Sequence, residues 1–563
     1  MLAIASVICL LLAMHTAHGK LHLEIQTSRK SPVGILRTSF RENGKMKHTQ
    51  HGRITGCSLA QLKILQLAFR EQVVPIDDPQ AFKILHSREY GASYSILAIA
   101  KQLGLHQALY SRPAPWVNSL LAMIVGRLVY AGSKLSLCNQ HLNTCLWELC
   151  GIAHPPDVDA QCYEPMDKLL QRQAAIQKNL TRRHLNGGHW VLYDITSVYF
   201  EGEYQASELV KFGYNRDRKK GREQVVVGLV CHGQGCPVGV EVYPGNTQDE
   251  TTVIDKVHEI KRDYGIEKII FVGDRGMITQ SNIEALKDEA DLQMIGALTH
   301  GEMMTLLKEK VIELDLFDEQ KIHEVTDPAN PSRRYCLCRN PLTAQRESAT
   351  RQRLLDLTAT ALDAIATYKR KTTVEKLGAR VGKVLAKYKM GKFIQWSIDA
   401  DPAHLTSQKH RLVWSIDTDK VAQEAKFDGC YIISTDVDKA QMNTVEVVNA
   451  YKSLTFVERA FRNLKTVQLE IRPVYHKNDD RIRSHVFLCM LAYYLQWHME
   501  QRLAPLFQDD GEGENRRWTL RGVIDCLAQI TRNRVAVNGI EFDQNSTPTE
   551  EQKQILNLLD VKM

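Results

Sequence analysis

The sequence predicts an α/β protein whose central part is a mixed sheet covered by helices. Three segments rich in β-branched and aromatic residues follow one another, and two helix-like segments then alternate with two further strands. The order β-β-β-α-β-α-β is typical of a three-strand meander followed by alternating units. These elements are expected at His189–Phe200, Gln224–His232, Pro237–Tyr243, Thr251–Tyr264, Lys268–Asp274, Asn282–Ala290 and Gln293–Leu298.

A chain of 563 residues is long enough for several domains, and its 44% hydrophobic and 24% charged residues are ordinary for a globular protein. Changes in amino-acid composition and hydrophobic pattern along the chain divide it into seven segments. These are an apolar leader or mis-called start (1–20), a small basic N-terminal module (21–75), a mostly helical region that is a candidate for DNA binding (76–184), the first part of the α/β core (185–300), an inserted β-rich and helical subdomain (301–428), the second part of the core (429–502) and a C-terminal tail (503–563).

The first residues and the cysteines bear on where the protein resides. Residues 1–14 form an uncharged apolar run that is too short to span a bilayer and lacks the positive charge that precedes a signal sequence. A start codon placed upstream of the true one, near Lys20, gives the same pattern, and we favour it because the remaining chain is typical of a cytosolic protein. Thirteen cysteines without repeated spacing predict reduced thiols rather than disulfides or a zinc site.

One stretch, Tyr451–Lys465, combines an acid with cations and a tyrosine. It contains no glycine or proline, and its apolar residues recur at helical spacing, so it predicts a helix. A step of seven residues returns to nearly the same helix face, which aligns Tyr451, Glu458 and Lys465, with Arg462 one turn from Glu458. An amphipathic surface helix explains the same charges. A catalytic role for Glu458 therefore depends on whether other carboxylates lie close to it in the fold.

Two aspartates are placed to do so. Asp194 lies mid-strand among apolar neighbours, where a carboxylate is costly unless it is hydrogen-bonded, paired or bound to metal. Asp274 ends the fourth predicted strand, and open α/β sheets hold their sites at that edge. If the two strands are neighbours, the acids can share a cation that Glu458 approaches from its helix. A satisfied buried acid at 194 and a turn or capping role at 274 are the structural alternatives.

Oxygen-only ligands of this kind suit Mg²⁺ or Mn²⁺. Two such ions, held by Asp194, Asp274 and Glu458, would activate a water or a DNA 3′-hydroxyl and stabilise the leaving oxygen of an in-line phosphoryl displacement. The sequence therefore predicts a metal-dependent phosphoryl-transfer site.

Basic residues are clustered rather than in large excess, since the net charge is only +7. The segment 211–222 holds six Lys or Arg against one acid, and Lys219, Lys220 and Arg222 are candidate contacts for a DNA backbone. A solvated surface loop gives the same pattern. In the predicted insertion, Trp396 and Trp414 are interpreted as core residues, with stacking on a flipped base as the alternative, and the apolar helix around His485 indicates a structural role for that histidine.

These motifs together resemble a known family. Tyr451, Glu458 and Lys465 match a Tyr-x2-Arg-x3-Glu-x6-Lys signature, and the segments Tyr193-Asp-Ile-Thr-Ser and Gly273-Asp-Arg-Gly-Met match its two aspartate motifs. The chain is therefore similar, over about 185–490, to bacterial insertion-sequence transposases of the DDE type. One position departs from the signature: Leu454 stands where the family has arginine, which leaves that arginine's role to Arg459 or Arg462 as candidate substitutes.

The resemblance implies a ribonuclease-H-like catalytic core with an inserted subdomain between the second aspartate and the glutamate. It also implies cleavage of the element's terminal inverted repeats and joining of the 3′-ends to target DNA, with Tyr451, Arg462 and Lys465 positioning DNA phosphates. A homodimer on paired DNA ends, no membrane association and a cytoplasmic location at the nucleoid are expected. The alternatives are a nuclease that cuts without joining and an inactive DNA-binding descendant; the presence of all three acids argues against the second.

Overall fold

A computed structural model gives the structure of the chain. It describes residues 21–27, 31–69, 82–153, 155–185, 190–216, 221–248, 251–263, 266, 268–275, 277–286, 291–318, 321–367, 372–400, 410–467, 469, 471, 474, 476–508, 517–537 and 540–563. The predictions for residues 1–20, Lys219 and Lys220 lie outside these ranges.

The described residues form strands and helices in two compact units, Met1–Leu170 with Leu495–Met563 and Gln171–Tyr494. The strands are β1 (Leu21–Gln26), β2 (Val33–Glu42), β3 (Lys45–Ile54), β4 (Phe82–Glu89), β5 (Trp190–Tyr199), β6 (Gln224–His232), β7 (Pro237–Pro244), β8 (Ile269–Gly273), β9 (Leu292–Ala297), β10 (His323–Asp327), β11 (Asn330–Arg339), β12 (Ile394–Ala400), β13 (His410–Ile416), β14 (Cys430–Thr435), β15 (Thr531–Val537) and β16 (Ile540–Asn545).

The α-helices are α1 (Leu59–Phe69), α2 (Gly91–Gln102), α3 (Leu105–Leu109), α4 (Pro115–Val129), α5 (Lys134–Asn139), α6 (Leu146–Leu149), α7 (Glu164–Gln171), α8 (Gln173–His184), α9 (Thr251–His258), α10 (Gln280–Leu286), α11 (His300–Lys308), α12 (Pro341–Ala366), α13 (Val374–Tyr388), α14 (Thr418–Ala425), α15 (Thr444–Lys452), α16 (Leu454–Arg462), α17 (Asp479–Arg502), α18 (Ala504–Gln508), α19 (Leu520–Ala528) and α20 (Glu550–Leu558). Short 3₁₀ turns lie at Gln140–Leu142, Leu314–Leu316 and Gly391–Phe393, and π-helical turns at Asp159–Tyr163, Glu259–Asp263 and Asn463–Val467.

The first unit begins with an antiparallel meander, β1-β2-β3. Leucines of β1, β2 and α1 form its small core, with Leu62 fully buried. The small basic module predicted for 21–75 therefore contains a three-stranded sheet, and the basic residues of β3 lie on exposed positions.

The C-terminal segment differs from the tail that the sequence predicts. Residues 531–545 form β15 and β16, and β15 pairs antiparallel with β4, which itself lies in the region 76–184 predicted to be helical. The short strands alternate only weakly in hydrophobicity, so their pairing across more than 400 residues leaves little local signal. No single described helix is long and apolar enough to cross a bilayer, although by length and composition one pair bent by 94°, Pro115–Val129 with Lys134–Leu142, passes that test together.

The second unit is organised around an eight-stranded mixed sheet in the order β10-β11-β14-β9-β8-β5-β6-β7. The strands β5, β6 and β7 form the antiparallel meander expected from the sequence. The strands β8 and β9 run parallel to β5 on its other side. Most residues of β5, β6 and β8 are buried, which accounts for their nearly continuous apolar character.

The predicted insertion 301–428 divides into two parts. Its strands β10 and β11 extend the main sheet, because β11 pairs antiparallel with β14 and β14 with β9. The segment from α12 to α14 forms a separate layer in which two helices pack on the β12–β13 hairpin around their own core, including Leu362, Leu377 and Phe393. The separate subdomain is thus smaller than the sequence predicts.

Candidate active site

The two aspartates lie side by side on neighbouring parallel strands. Tyr193 of β5 is the register partner of Gly273 at the end of β8, and each is followed by an aspartate, Asp194 and Asp274. Paired strands are about 4.8 Å apart. Asp194 is half-buried within β5, whereas Asp274 lies exposed just beyond β8. The neighbouring strands required by the sequence argument are therefore present.

Glu458 reaches this edge from helix α16, which packs against β5. The buried face of α16 consists of Leu454, Val457, Ala460 and Phe461, so Glu458 is directed away from the core and is exposed. The β6–β7 turn also contacts α16: a Cβ on Gly235, whose φ is +90°, would lie 2.7 Å from Cβ of Phe456. Only glycine fits this turn, because both the backbone angle and the close approach exclude a side chain.

The helix carrying Glu458 is not the continuous one that the sequence predicts. It is interrupted at Ser453, between α15 and α16, and becomes a π-helical turn at Asn463–Val467. The Ser453 hydroxyl donates to the Asn449 carbonyl at 2.9 Å, and the Thr455 hydroxyl donates to the Lys452 carbonyl at 2.9 Å. Such side-chain bonds to preceding carbonyls bend helices. The single continuous helix that the sequence predicts is therefore divided, although Tyr451, Glu458 and Lys465 all lie on this helical segment.

The acids influence each other electrostatically. Burial raises the pKa of Asp194 to about 7, and the negative charges of Asp274 and Glu458 add to the rise. The Ile195 N–H, which donates to Asp194 Oδ1 at 2.7 Å, and the positive charge of Arg216 lower the same pKa in part. Three acids from separate parts of the chain thus lie close enough for two of them to disfavour the charge of the third.

Asp274 has two donors to one oxygen. Its Oδ1 accepts the Arg275 N–H at 2.6 Å and the Tyr451 hydroxyl at 3.2 Å. Burial raises the pKa of the Tyr451 hydroxyl well above its usual value, the charge of Asp274 raises it further, and Arg275 opposes the rise. The tyrosine therefore stays protonated and remains a hydrogen-bond donor to Asp274. Among the described residues, no donor contacts the second carboxylate oxygen of Asp274.

The remaining predicted residues are dispersed. Arg462 is exposed on α16 beyond Glu458, Lys465 is half-buried in the π-helical turn, and Arg222 is exposed just before β6. In the insertion, Trp414 packs on the local core and its indole N–H donates to Asp363 at 3.2 Å, whereas its cross-strand partner Trp396 is 42% exposed.

The interpretation of the two tryptophans as core residues is therefore correct for Trp414 and wrong for Trp396. His485 is buried, with Nε2 3.2 Å from the Ile471 carbonyl oxygen, in agreement with a structural role.

Sequence reasoning missed two arginines at this site. Arg216 acts on the charge of Asp194, and its backbone N–H is anchored to β5 through the Ser197 hydroxyl at 3.0 Å. Arg275 follows Asp274 and acts on Tyr451. Both belong to motifs identified in the sequence, the basic run 211–222 and the Asp-Arg-Gly turn. Their spacing to the acids could be known only from the sheet register.

The residues present fit a divalent cation. Three carboxylates lie near one sheet edge, close enough for two of them to act on the pKa of the third, although their oxygens do not all lie within 4.8 Å of one another. Oxygen ligands of this charge suit Mg²⁺ or Mn²⁺ rather than softer metals. Burial is the main cause of the raised pKa of Asp194, and the negative charges of Asp274 and Glu458 add a smaller, repulsive cost. A positive ion between them would remove that cost.

Neutralising Asp194 should stabilise the metal-free protein at alkaline pH. Because the pKa in the folded state, about 7, lies above the unfolded value of 3.8, ionisation costs stability progressively as pH rises through that interval. We expect Asp194→Asn to raise the melting midpoint at pH 8 by on the order of 2 °C or more and to leave it unchanged at pH 4. Calorimetry of both proteins in the presence of a chelator tests this. Equal melting midpoints for the wild type and Asp194→Asn at pH 8 would contradict a raised pKa of Asp194 in the folded protein.

Comparisons with known proteins place the chain in a family. The family model described as a transposase DDE domain matches residues 191–495, which include all three acids. A comparison with curated proteins finds no significant match. Among solved structures, the chain is similar to one in a cryo-EM structure of a piggyBac transposase synaptic complex with hairpin DNA, with 7% identity, a TM-score of 0.34 and coverage of 78% of this chain and 75% of that chain.

This structural likeness is too low to support an argument. The family match covers more than half of the 563 residues. The chain therefore belongs to the transposases that carry a DDE domain.

Proposed function

We propose that this protein catalyses metal-dependent cleavage of DNA at the ends of an insertion sequence and transfers the cut 3′-ends to target DNA. The observation that supports the proposal is the placement of three carboxylates near one sheet edge. Asp194 and Asp274 follow paired residues on adjacent strands, and Glu458 comes from a helix that packs on the strand of Asp194. Family membership supports the same reading.

The topology supports a ribonuclease-H-like core. Within the sheet, the order β7-β6-β5-β8-β9 places an antiparallel meander beside two parallel strands, with helices between the parallel strands. The first aspartate lies on the first strand and the second at the end of the fourth, and the insertion separates the second aspartate from the glutamate. This is the arrangement expected from the resemblance stated above.

Asp194, Asp274 and Glu458 would hold the metal, which we propose to be two Mg²⁺ or Mn²⁺ ions. Bound there, the metal would supply a lowered pKa for the attacking hydroxyl or water and charge stabilisation for the leaving oxygen. The protein's own contribution is to position the acids and to offset part of the cost of their charge. Arg216 partly opposes the rise in the pKa of Asp194, and the Arg275 N–H and the Tyr451 hydroxyl hold one oxygen of Asp274.

Positively charged residues near the sheet edge that carries the three acids support DNA as the partner. Arg462 and Lys465 continue along the helical segment beyond Glu458, where they would contact phosphates and fix the register of the duplex. The exposed Arg222, with Lys219 and Lys220, would add backbone contacts. We propose the terminal inverted repeats and target DNA as substrates in the nucleoid, bound by a homodimer that holds two ends.

A strand-transfer assay tests the function. A labelled duplex carrying the element's terminal repeat is incubated with residues 20–563, Mg²⁺ and a supercoiled plasmid. Joined products of repeat and plasmid are expected, in addition to nicks at the repeat end. Cleavage without joined products would instead indicate a nuclease, and specific binding without cleavage an inactive descendant.

The bond from Tyr451 to Asp274 has a measurable consequence. We expect Tyr451→Phe to raise the Mg²⁺ concentration for half-maximal cleavage by about threefold to tenfold, because one donor that orients the carboxylate is lost. Affinity for DNA should change little. A Mg²⁺ titration combined with a binding isotherm checks both, with Tyr431→Phe as a matched control; weaker DNA binding at an unchanged Mg²⁺ requirement would instead assign Tyr451 to phosphate contact.

A further inference from the structure

Helix α13 of the insertion subdomain carries a row of cations. Lys376, Arg380, Lys383 and Lys387 are spaced by four, three and four residues, which places them on one face of the helix, and all four are exposed. With a rise of 1.5 Å per residue, the row is about 16 Å long.

The packing of α13 fixes where this face points. Leu377 and Val381 lie in the subdomain core with Phe393 and Leu412, so the cationic face is turned to solvent. Small residues at 379, 382 and 386 flank the row, and a Cβ added to Gly382 would meet no atom within 4 Å. The cations therefore stand at the side of a low, open surface that an extended polyanion can approach closely.

A solvated helix face does not explain this composition well. The neighbouring helix α12 balances three arginines with three acids, whereas the only acid on α13 is Glu375. Cations near a helix C-terminus stabilise the helix, but Lys376 lies in the first turn, where the helix dipole disfavours positive charge. Helix stability alone therefore gives no reason for a cation at that position.

The subdomain leaves the main sheet at the edge that holds the acids. Gly273, Gly296, Ser434 and Tyr335 form one row across β8, β9, β14 and β11. Because β11 runs in the same direction as β8, its end at Arg339 lies beyond that row on the same side as Asp274. Three strand spacings, about 14 Å, separate β11 from β8. A duplex held at the acids would therefore extend within reach of the subdomain.

We propose that the α13 row binds the phosphate backbone of the duplex whose end is held at the three acids, at a distance from the cut. The inference rests on the proposed function, since it assigns a second contact to the same DNA. The row would hold the flank of the terminal repeat without recognising its sequence, because contacts to phosphates do not distinguish one base from another.

The test replaces three lysines and keeps the helix. The variant K376Q/K383Q/K387Q uses glutamine because it is a good helix former, and the control K268Q/K308Q/K310Q removes the same charge from exposed lysines elsewhere in the unit. Binding of the terminal-repeat duplex is measured at several salt concentrations. We expect the α13 variant to bind at least about tenfold more weakly near physiological salt, with a salt slope shallower by about 3, and the control to match the wild type.

A length series separates this inference from the proposed function. As the duplex is shortened from the side away from the cut, wild-type affinity should fall until it equals that of the α13 variant, and cleavage at saturating protein should be equal throughout. An α13 variant that behaves like the control on every duplex would overturn the inference while leaving cleavage intact. Wild-type protein that binds with the expected salt slope and never cuts would instead overturn the proposed function.

Discussion

Replacing Asp194 or Asp274 with asparagine, or Glu458 with glutamine, is expected to reduce DNA cleavage by about 10³-fold or more, equivalent to roughly 4 kcal/mol of lost transition-state stabilisation. Each change removes a carboxylate from a site where three converge, and the remaining two are too few to hold two cations in place. Binding of the terminal-repeat duplex should stay within about twofold, because that affinity comes mainly from cations on phosphates.

Single-turnover cleavage and a binding isotherm on the same protein samples separate the two effects. Asp419→Asn is a suitable control, since it removes an exposed acid from the insertion subdomain without touching the site. Should any one of the three substitutions leave cleavage near the wild-type rate, that residue is no ligand and the assignment of the site must change.

Cleavage at a low, fixed Mg²⁺ concentration is expected to rise about tenfold per pH unit up to about pH 7 and then level off. Burial raises the pKa of Asp194 to about 7 in the metal-free protein, so below that pH a cation must displace a proton to bind. The competition predicts a second effect: once Mg²⁺ exceeds the concentration that half-saturates the deprotonated site, each further tenfold increase in Mg²⁺ should move the midpoint of the profile down by about one pH unit.

Rate profiles at two Mg²⁺ concentrations measure this, with DNA binding at each pH as the control for general effects. A midpoint that stays fixed while Mg²⁺ changes above this half-saturating concentration would show that the titrating group is not a metal ligand. A flat profile between pH 5 and 8 would contradict the raised pKa itself.

The sequence predicts the centre of the fold well because its signals there are local. The meander β5-β6-β7 and the alternating units that follow are long, apolar strands separated by clear turns, and they lie where expected. The family match confirms the resemblance to DDE transposases. The sequence does not predict the strands β15 and β16, because they are short and their sheet depends on the pairing of β15 with the distant β4.

The sequence identifies the residues of the candidate site but not their spatial arrangement. The residue types and positions of Asp194, Asp274 and Glu458 follow from the motifs, whereas their proximity depends on the register of β5 with β8. The break at Ser453, where the hydroxyl donates to the Asn449 carbonyl, is not revealed by helical periodicity. The sequence likewise gives no sign that the Tyr451 hydroxyl donates to Asp274.

The most direct test of the central claim is Mn²⁺ binding in the presence of terminal-repeat DNA, followed by electron paramagnetic resonance. The wild type should bind two Mn²⁺ ions whose electron spins are coupled. The variants Asp194→Asn, Asp274→Asn and Glu458→Gln should each lose this coupled signal, because the three acids share the same ions. Asp419→Asn should bind like the wild type. If one of the three variants binds Mn²⁺ with unchanged affinity and spectrum, the three carboxylates do not form a single metal site and the proposed mechanism is wrong.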